Sequence, residues 1–61
     1  MLKYTDKELW NIGRNIASTW GAYIEGWTVN NYEQTVTFNC NEDGDRFQTT
    51  LSFDELDEYN Y

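Results

Sequence analysis

The chain has no histidine, no proline and a single cysteine, and its four lysines and arginines stand against eleven aspartates and glutamates. Each shortage removes a class of function. Without histidine there is no side chain whose ordinary pKa suits acid-base work near neutrality, and no imidazole ligand for a metal. Cys40 has no second cysteine to pair with, so no internal disulfide staples the fold, and a lone thiol suits a reducing compartment. Nowhere do the roughly 18 consecutive apolar residues of a spanning helix occur, and no charged-then-apolar stretch follows Met1. The expectation is a soluble, cytoplasmic protein with no membrane partner.

The scarcity of cations is local. Residues 1–30 carry Asp6, Glu8 and Glu25 against Lys3, Lys7 and Arg14 and balance to zero. Residues 31–61 carry Glu33, Glu42, Asp43, Asp45, Asp54, Glu55, Asp57 and Glu58 against Arg46, and hold the whole net charge of −7. Such a field repels nucleic acid and anionic lipid and steers toward basic surfaces, which disfavours direct DNA or RNA binding.

Sixty-one residues make one domain, and a domain of that size buries only about 60% of the surface its unfolded chain exposes. With neither disulfide nor histidine available, oligomerisation or a dense aromatic core is left to compensate. Three Trp, five Tyr and three Phe make the second route available.

Thr5-Asp6-Lys7-Glu8 has the capping-box pattern, followed by an apolar rhythm at Leu9, Ile12, Ile16 and Trp20 on one helical face. Gly21 is the expected left-handed C-cap, which predicts a helix over about Asp6 to Trp20. Gly13 lies on the apolar side, where glycine costs roughly 1 kcal/mol relative to alanine, so it predicts close approach to a sheet. From Ala22 the period becomes two, with Tyr23, Trp27 and Val29 on one side and Ile24, Gly26 and Thr28 on the other. Asn30-Asn31 predicts a two-residue turn that pairs Val29 with Tyr32, Trp27 with Gln34, Glu25 with Val36 and Tyr23 with Phe38.

The second strand, Tyr32 to Cys40, sets Tyr32, Val36, Phe38 and Cys40 on one face. Asp43-Gly44 as a second two-residue turn would oppose Cys40 to Phe47, Phe38 to Thr49 and Val36 to Leu51. Ser52-Phe53-Asp54-Glu55 repeats the capping pattern and predicts a short terminal helix with Leu56 and Tyr59 inward and Asp54, Glu55, Asp57 and Glu58 outward. The fold class expected is α+β: an N-terminal helix on a three-stranded antiparallel meander, then a short C-terminal helix, in the order α-β-β-β-α.

Four chemistries compete for these residues. Asn39 to Asp45 matches the first half of a calcium loop, with Gly44 sixth, but the twelfth position is Thr50 where a bidentate Glu is needed and the flanks read as strands. No metal or cofactor is therefore expected. Cys40 falls on the core face with no base near it in the pattern, and a small meander offers little concavity in which to raise a carboxyl pKa, so catalysis is not expected. Trp10, Trp20, Trp27, Tyr23 and Tyr32 could stack on bases only inside a basic groove, which is lacking. Most of them read as core. Trp10 falls off the Leu9-Ile12-Ile16 stripe and is a candidate anchor for a partner.

The acidic edge from Cys40 to Glu58 remains. A duplex carries one charge per roughly 1.7 Å of axis, and carboxylates held on a hairpin turn and a neighbouring helix would present a shorter array of the same sign. With its small size, strand-Asp43-Gly44-strand hairpin and acidic segment Leu51-Ser52-Phe53-Asp54-Glu55-Leu56, the chain resembles, at the level of class, the small acidic inhibitors encoded by phages and mobile elements: anti-CRISPR proteins, anti-restriction proteins and uracil-DNA glycosylase inhibitors. That resemblance implies a stoichiometric, nonenzymatic blocker of a nucleic-acid-binding host protein. Glu42, Asp43, Asp45, Asp54, Glu55, Asp57 and Glu58 would supply charge, with Trp10, Tyr59 and Tyr61 as apolar anchors. The alternative is a structural or adaptor module, homodimeric, whose acidic face is merely solvated.

Overall fold

Thr5 opens the first element as the capping pattern predicts. Its Oγ1 accepts the Glu8 N–H at 3.2 Å, and its own N–H donates to Glu8 Oε1 at 2.9 Å. In the computed structural model, which describes residues 2–61, helix α1 then spans Asp6–Ser18. It stops short of Trp20. Gly21 takes φ +69°, its N–H donates to Ser18 O at 3.2 Å and the Ala22 N–H to Ala17 O at 3.0 Å, a Schellman closure that satisfies the last carbonyls. Trp20 is thereby carried beyond the apolar stripe it was expected to extend, and it is 49% exposed.

The buried face of α1 is Leu9, Ile12, Gly13, Ile16 and Ala17. A Cβ on Gly13 would overlap Ile24 Cδ1 and lie 2.9 Å from Phe38 Cδ1. The glycine is the contact point between helix and sheet, which explains why the helix tolerates it.

Strands β1 (Tyr23–Asn30), β2 (Thr35–Glu42) and β3 (Asp45–Ser52) form one antiparallel sheet in the order β1-β2-β3. The second hairpin has the predicted register: Glu42 opposes Asp45, Cys40 opposes Phe47, Phe38 opposes Thr49 and Val36 opposes Leu51. Asp43 at φ +52° and Gly44 at φ +92° supply the two left-handed residues such a turn requires.

The first hairpin differs from expectation. Asn30 is the last residue of β1, and the connection is the loop 31–34, so Val29 opposes Val36 and Trp27 opposes Phe38. Asn30 Oδ1 accepts the Glu33 N–H at 3.0 Å and Gln34 adopts φ +58°, an arrangement that replaces the two-residue turn. The longer loop pairs apolar with apolar, where the shorter one would have set Trp27 against Gln34. Tyr32, expected on the core face of the second strand, sits in this loop and is 96% exposed.

A β-bulge between Ile24 and Gly26 adds a second correction. Ile24 opposes Cys40 and is buried, whereas Tyr23 opposes Asn41 and is exposed, the reverse of the faces read from simple alternation. The bulge inserts one residue, so side chains before it change sides.

After Ser52 the chain forms a 3-10 helix, η1, over Phe53–Tyr59. Glu55 Oε1 accepts the Ser52 N–H at 2.9 Å, and Gln34 O accepts the Phe53 N–H at 2.9 Å. Leu56 is fully buried and Tyr59 half-buried, as predicted. Helix α1 lies over β1, and η1 packs against α1 and β3, so the core of Leu9, Ile12, Ile16, Val36, Phe38, Cys40, Leu51 and Leu56 is enclosed by both helices and one sheet face. Full burial of each large aliphatic or aromatic member contributes about 1.5–3 kcal/mol. The fold is α+β, in the order α1-β1-β2-β3-η1. No helix among the described residues is long and apolar enough to cross a membrane.

Candidate functional site

The seven carboxylates of the acidic edge fall into two groups, each built by a different local device. Glu42, Asp43 and Asp45 surround the β2–β3 turn. That turn is held from beneath by Asn41, whose Oδ1 accepts the Gly44 N–H at 2.7 Å and whose Nδ2 donates to Glu25 Oε2 at 3.3 Å. Asn41 is itself 5% exposed, and both bonds are part-buried, which strengthens them relative to bonds in open solvent. Asp54, Glu55, Asp57 and Glu58 lie on the outer side of η1, with Leu56 pointing into the core between them.

All seven are exposed. Arg46, the nearest cation in sequence, turns to the outer sheet face and pairs with Glu25 at 3.3 Å. Asp57 meets Lys3 at 3.3 Å, and among the described residues no other ion pair forms. Six of the seven carboxylates are thus left without a cationic partner.

The two groups sit at opposite ends of β3. At about 3.3 Å per residue its eight residues separate the turn from the start of η1 by about 23 Å, well beyond the roughly 8 Å over which physiological salt screens charge. Within a molecule of 33 × 23 × 16 Å they form two foci of negative charge. Asp54 and Asp57 share their end with Leu2, Lys3, Tyr4, Gln34 and Phe53, while Glu42 shares the other with Trp20, Phe47 and Thr49.

The expected aromatic anchors are scattered. Trp10 is 43% exposed and stands edge-on to Trp27, with centroids 5.1 Å apart, on the β1 side of the molecule. Tyr59 packs against the core and its carbonyl accepts the Asn15 Nδ2 hydrogen bond at 2.7 Å. Tyr61 is 79% exposed, tethered through its carbonyl to Asn11 Nδ2 at 3.1 Å. None of the three adjoins the β2–β3 turn.

An aromatic pair that the sequence did not single out lies there instead. Trp20 meets Phe47 edge-to-face at 5.8 Å, and with Glu42 and Thr49 the pair walls an open notch between the end of α1 and β3. The signal was present in Gly21: a left-handed residue directly after Trp20 ends the helix before the tryptophan can join its buried stripe.

The outer sheet face is polar. Thr37 and Thr50 hydroxyls meet at 2.9 Å, and Gln48 Nε2 donates to Asn39 Oδ1 at 2.8 Å. Asn39 and Asn41, which resembled cation ligands in sequence, therefore have their oxygens committed to hydrogen bonds. Cys40 is fully buried, and burial pushes its thiol above the ordinary range, the opposite of what a nucleophile needs. No protein-family model, curated protein or solved structure matches this chain.

Proposed function

We propose that this chain is a nonenzymatic acidic protein that docks onto a basic, nucleic-acid-binding partner and occupies the surface the partner otherwise offers to phosphates. The observation that carries the reading is the pair of exposed carboxylate groups, six of their seven members without a cationic partner, held about 23 Å apart at the two ends of one strand. Charge on a preordered hairpin and helix costs little to organise at the moment of binding, which is the advantage a mimic has over a disordered acidic tail. A stoichiometric inhibitor of the class resembled in sequence is the form this takes, and a cytoplasmic setting, in which Cys40 stays reduced, belongs to the same proposal.

Competition tests it. A duplex or guide RNA bound by the partner should displace the protein, the association rate should fall steeply with added salt, and changing Asp54, Glu55, Asp57 and Glu58 to their amides should abolish most binding. Displacement by neither nucleic acid nor salt would sink the mimicry. The second reading, an adaptor that pairs with its own copy and leaves the acids solvated, is favoured by the open edge of β3. It requires a dimer in sedimentation experiments, unchanged by the same four amides.

A further inference from the structure

The two edges of the sheet are treated differently. β1 is interrupted by the bulge at Glu25, a common protection against strand addition. β3 has neither bulge nor proline, and it keeps continuous register with β2 from Asp45 to Ser52. The direction of its free groups can be read from one bond. Ser52 gives its N–H to Glu55 Oε1, so residue 52 points away from β2, and by the alternation of antiparallel pairing Arg46, Gln48 and Thr50 point their N–H and C=O the same way. No protein group among the described residues bonds those outward atoms. The middle of the strand, Phe47 to Leu51, carries no charge, and on its helix side the notch of Trp20, Phe47, Thr49 and Glu42 opens beside it.

We propose that the outer edge of β3 is a docking site for an extended segment of a partner protein, one with basic residues toward both ends and an apolar side chain between them for the Trp20–Phe47 notch. The inference rests on the proposed reading only in taking the partner to be basic. What selects this occupant over a second copy of the chain is charge. In an antiparallel self-pairing that sets Phe47 against Leu51 of the second copy, Asp43 and Gly44 come opposite Glu55 and Asp54 of that copy, at both ends of the joint strand. A parallel, in-register pairing stacks turn on turn and η1 on η1. Each self-pairing juxtaposes carboxylates, whereas a strand with cations at its ends meets one acidic group at each. The acidic ends thus act against homotypic pairing and in favour of a basic strand, while the unpaired backbone supplies the bonds.

The test uses the full chain and a synthetic ten-residue peptide of alternating valine and threonine with two lysines at each end, blocked at both termini. Binding should slow amide exchange at Gln48 and Thr50 by about tenfold or more, as new ladder bonds form, with little further change at Phe47 and Thr49, whose amides already face β2. The same peptide with glutamates for lysines should not bind, and Thr50→Pro, which removes an outward N–H but no bond to β2, should weaken the lysine peptide about tenfold or more with the circular dichroism spectrum unchanged. If the proline variant does not fold, protection in the unaltered chain decides. Binding of the lysine peptide without protection at Gln48 and Thr50 would overturn the edge site and leave the acidic docking surface standing. Equal binding of the glutamate peptide, no binding of either, or a dimer that protects the same amides would overturn the choice of occupant.

Discussion

At the scale of single residues, Gly13 leaves no room for a side chain between helix and sheet. Alanine there regains about 1 kcal/mol of helix propensity, but its Cβ would overlap Ile24 and press on Phe38, and such overpacking costs about 1–3 kcal/mol. Gly13→Ala is therefore expected to lower stability, by up to about 2 kcal/mol in urea unfolding. Ile24→Val, which removes the clashing Cδ1, should recover part of that loss when combined with it, a coupling a double-mutant cycle would register. Tyr4 presents the opposite case: its hydroxyl is buried with no hydrogen-bond partner, so Tyr4→Phe is expected to hold or raise stability, by up to about 1 kcal/mol. Cys40 sets a pH dependence. Burial raises its thiol pKa in the folded state, so the unfolded chain loses that proton first as pH rises through the ordinary thiol value of about 8.5. Stability from this group is present well below that pH and declines above it, and Cys40→Val should flatten the difference in urea midpoints between about pH 7 and 10, about 1.5 units on either side of the ordinary thiol value.

At the scale of elements, the two hairpins show how turn chemistry decides register. Asp43-Gly44 is a two-residue turn because both positions tolerate positive φ. Asparagine is better still in the first position, so Asp43→Asn is expected to raise stability slightly, while removing one charge from the turn group and weakening any charge-driven binding. Gln34, by contrast, holds φ +58° without a glycine's freedom. Since only its backbone carbonyl is used by Phe53, Gln34→Gly should keep that bond and raise the melting temperature, by the equivalent of roughly 0.5–1 kcal/mol.

At the scale of the molecule, seven negative charges in excess repel one another across a domain only 16 Å thick in its shortest dimension. Added salt should raise the melting temperature as it screens that repulsion. Because the acidic groups lie about 23 Å apart along β3, neutralising one should not alter the contribution of the other. Binding losses from the turn triple (Glu42, Asp43, Asp45) and the η1 quartet (Asp54, Glu55, Asp57, Glu58) are expected to add within about 0.5 kcal/mol, measured by titration calorimetry against the same basic partner.

The sequence by itself determined what local chemistry can dictate. The Thr5–Glu8 capping box, the left-handed Gly21, the Asp43-Gly44 turn with its register, the inward Leu56 and the concentration of charge after residue 30 all depend on neighbours a few positions away, and each stands in the structure as it reads in the chain. The tertiary structure decided the rest, because those outcomes depend on competition between distant partners. Trp27 and Val29 chose Phe38 and Val36 over Gln34 and Tyr32, which overrode the Asn30-Asn31 turn signal. The bulge at Glu25 turned Ile24 inward and Tyr23 out, a displacement no period-two pattern announces. The placement of the acids followed from the same kind of contact: η1 folds back on α1 and β3 to bury Leu56, and the strand length between that docking and the Asp43-Gly44 turn divides one acidic sequence into two separate ends.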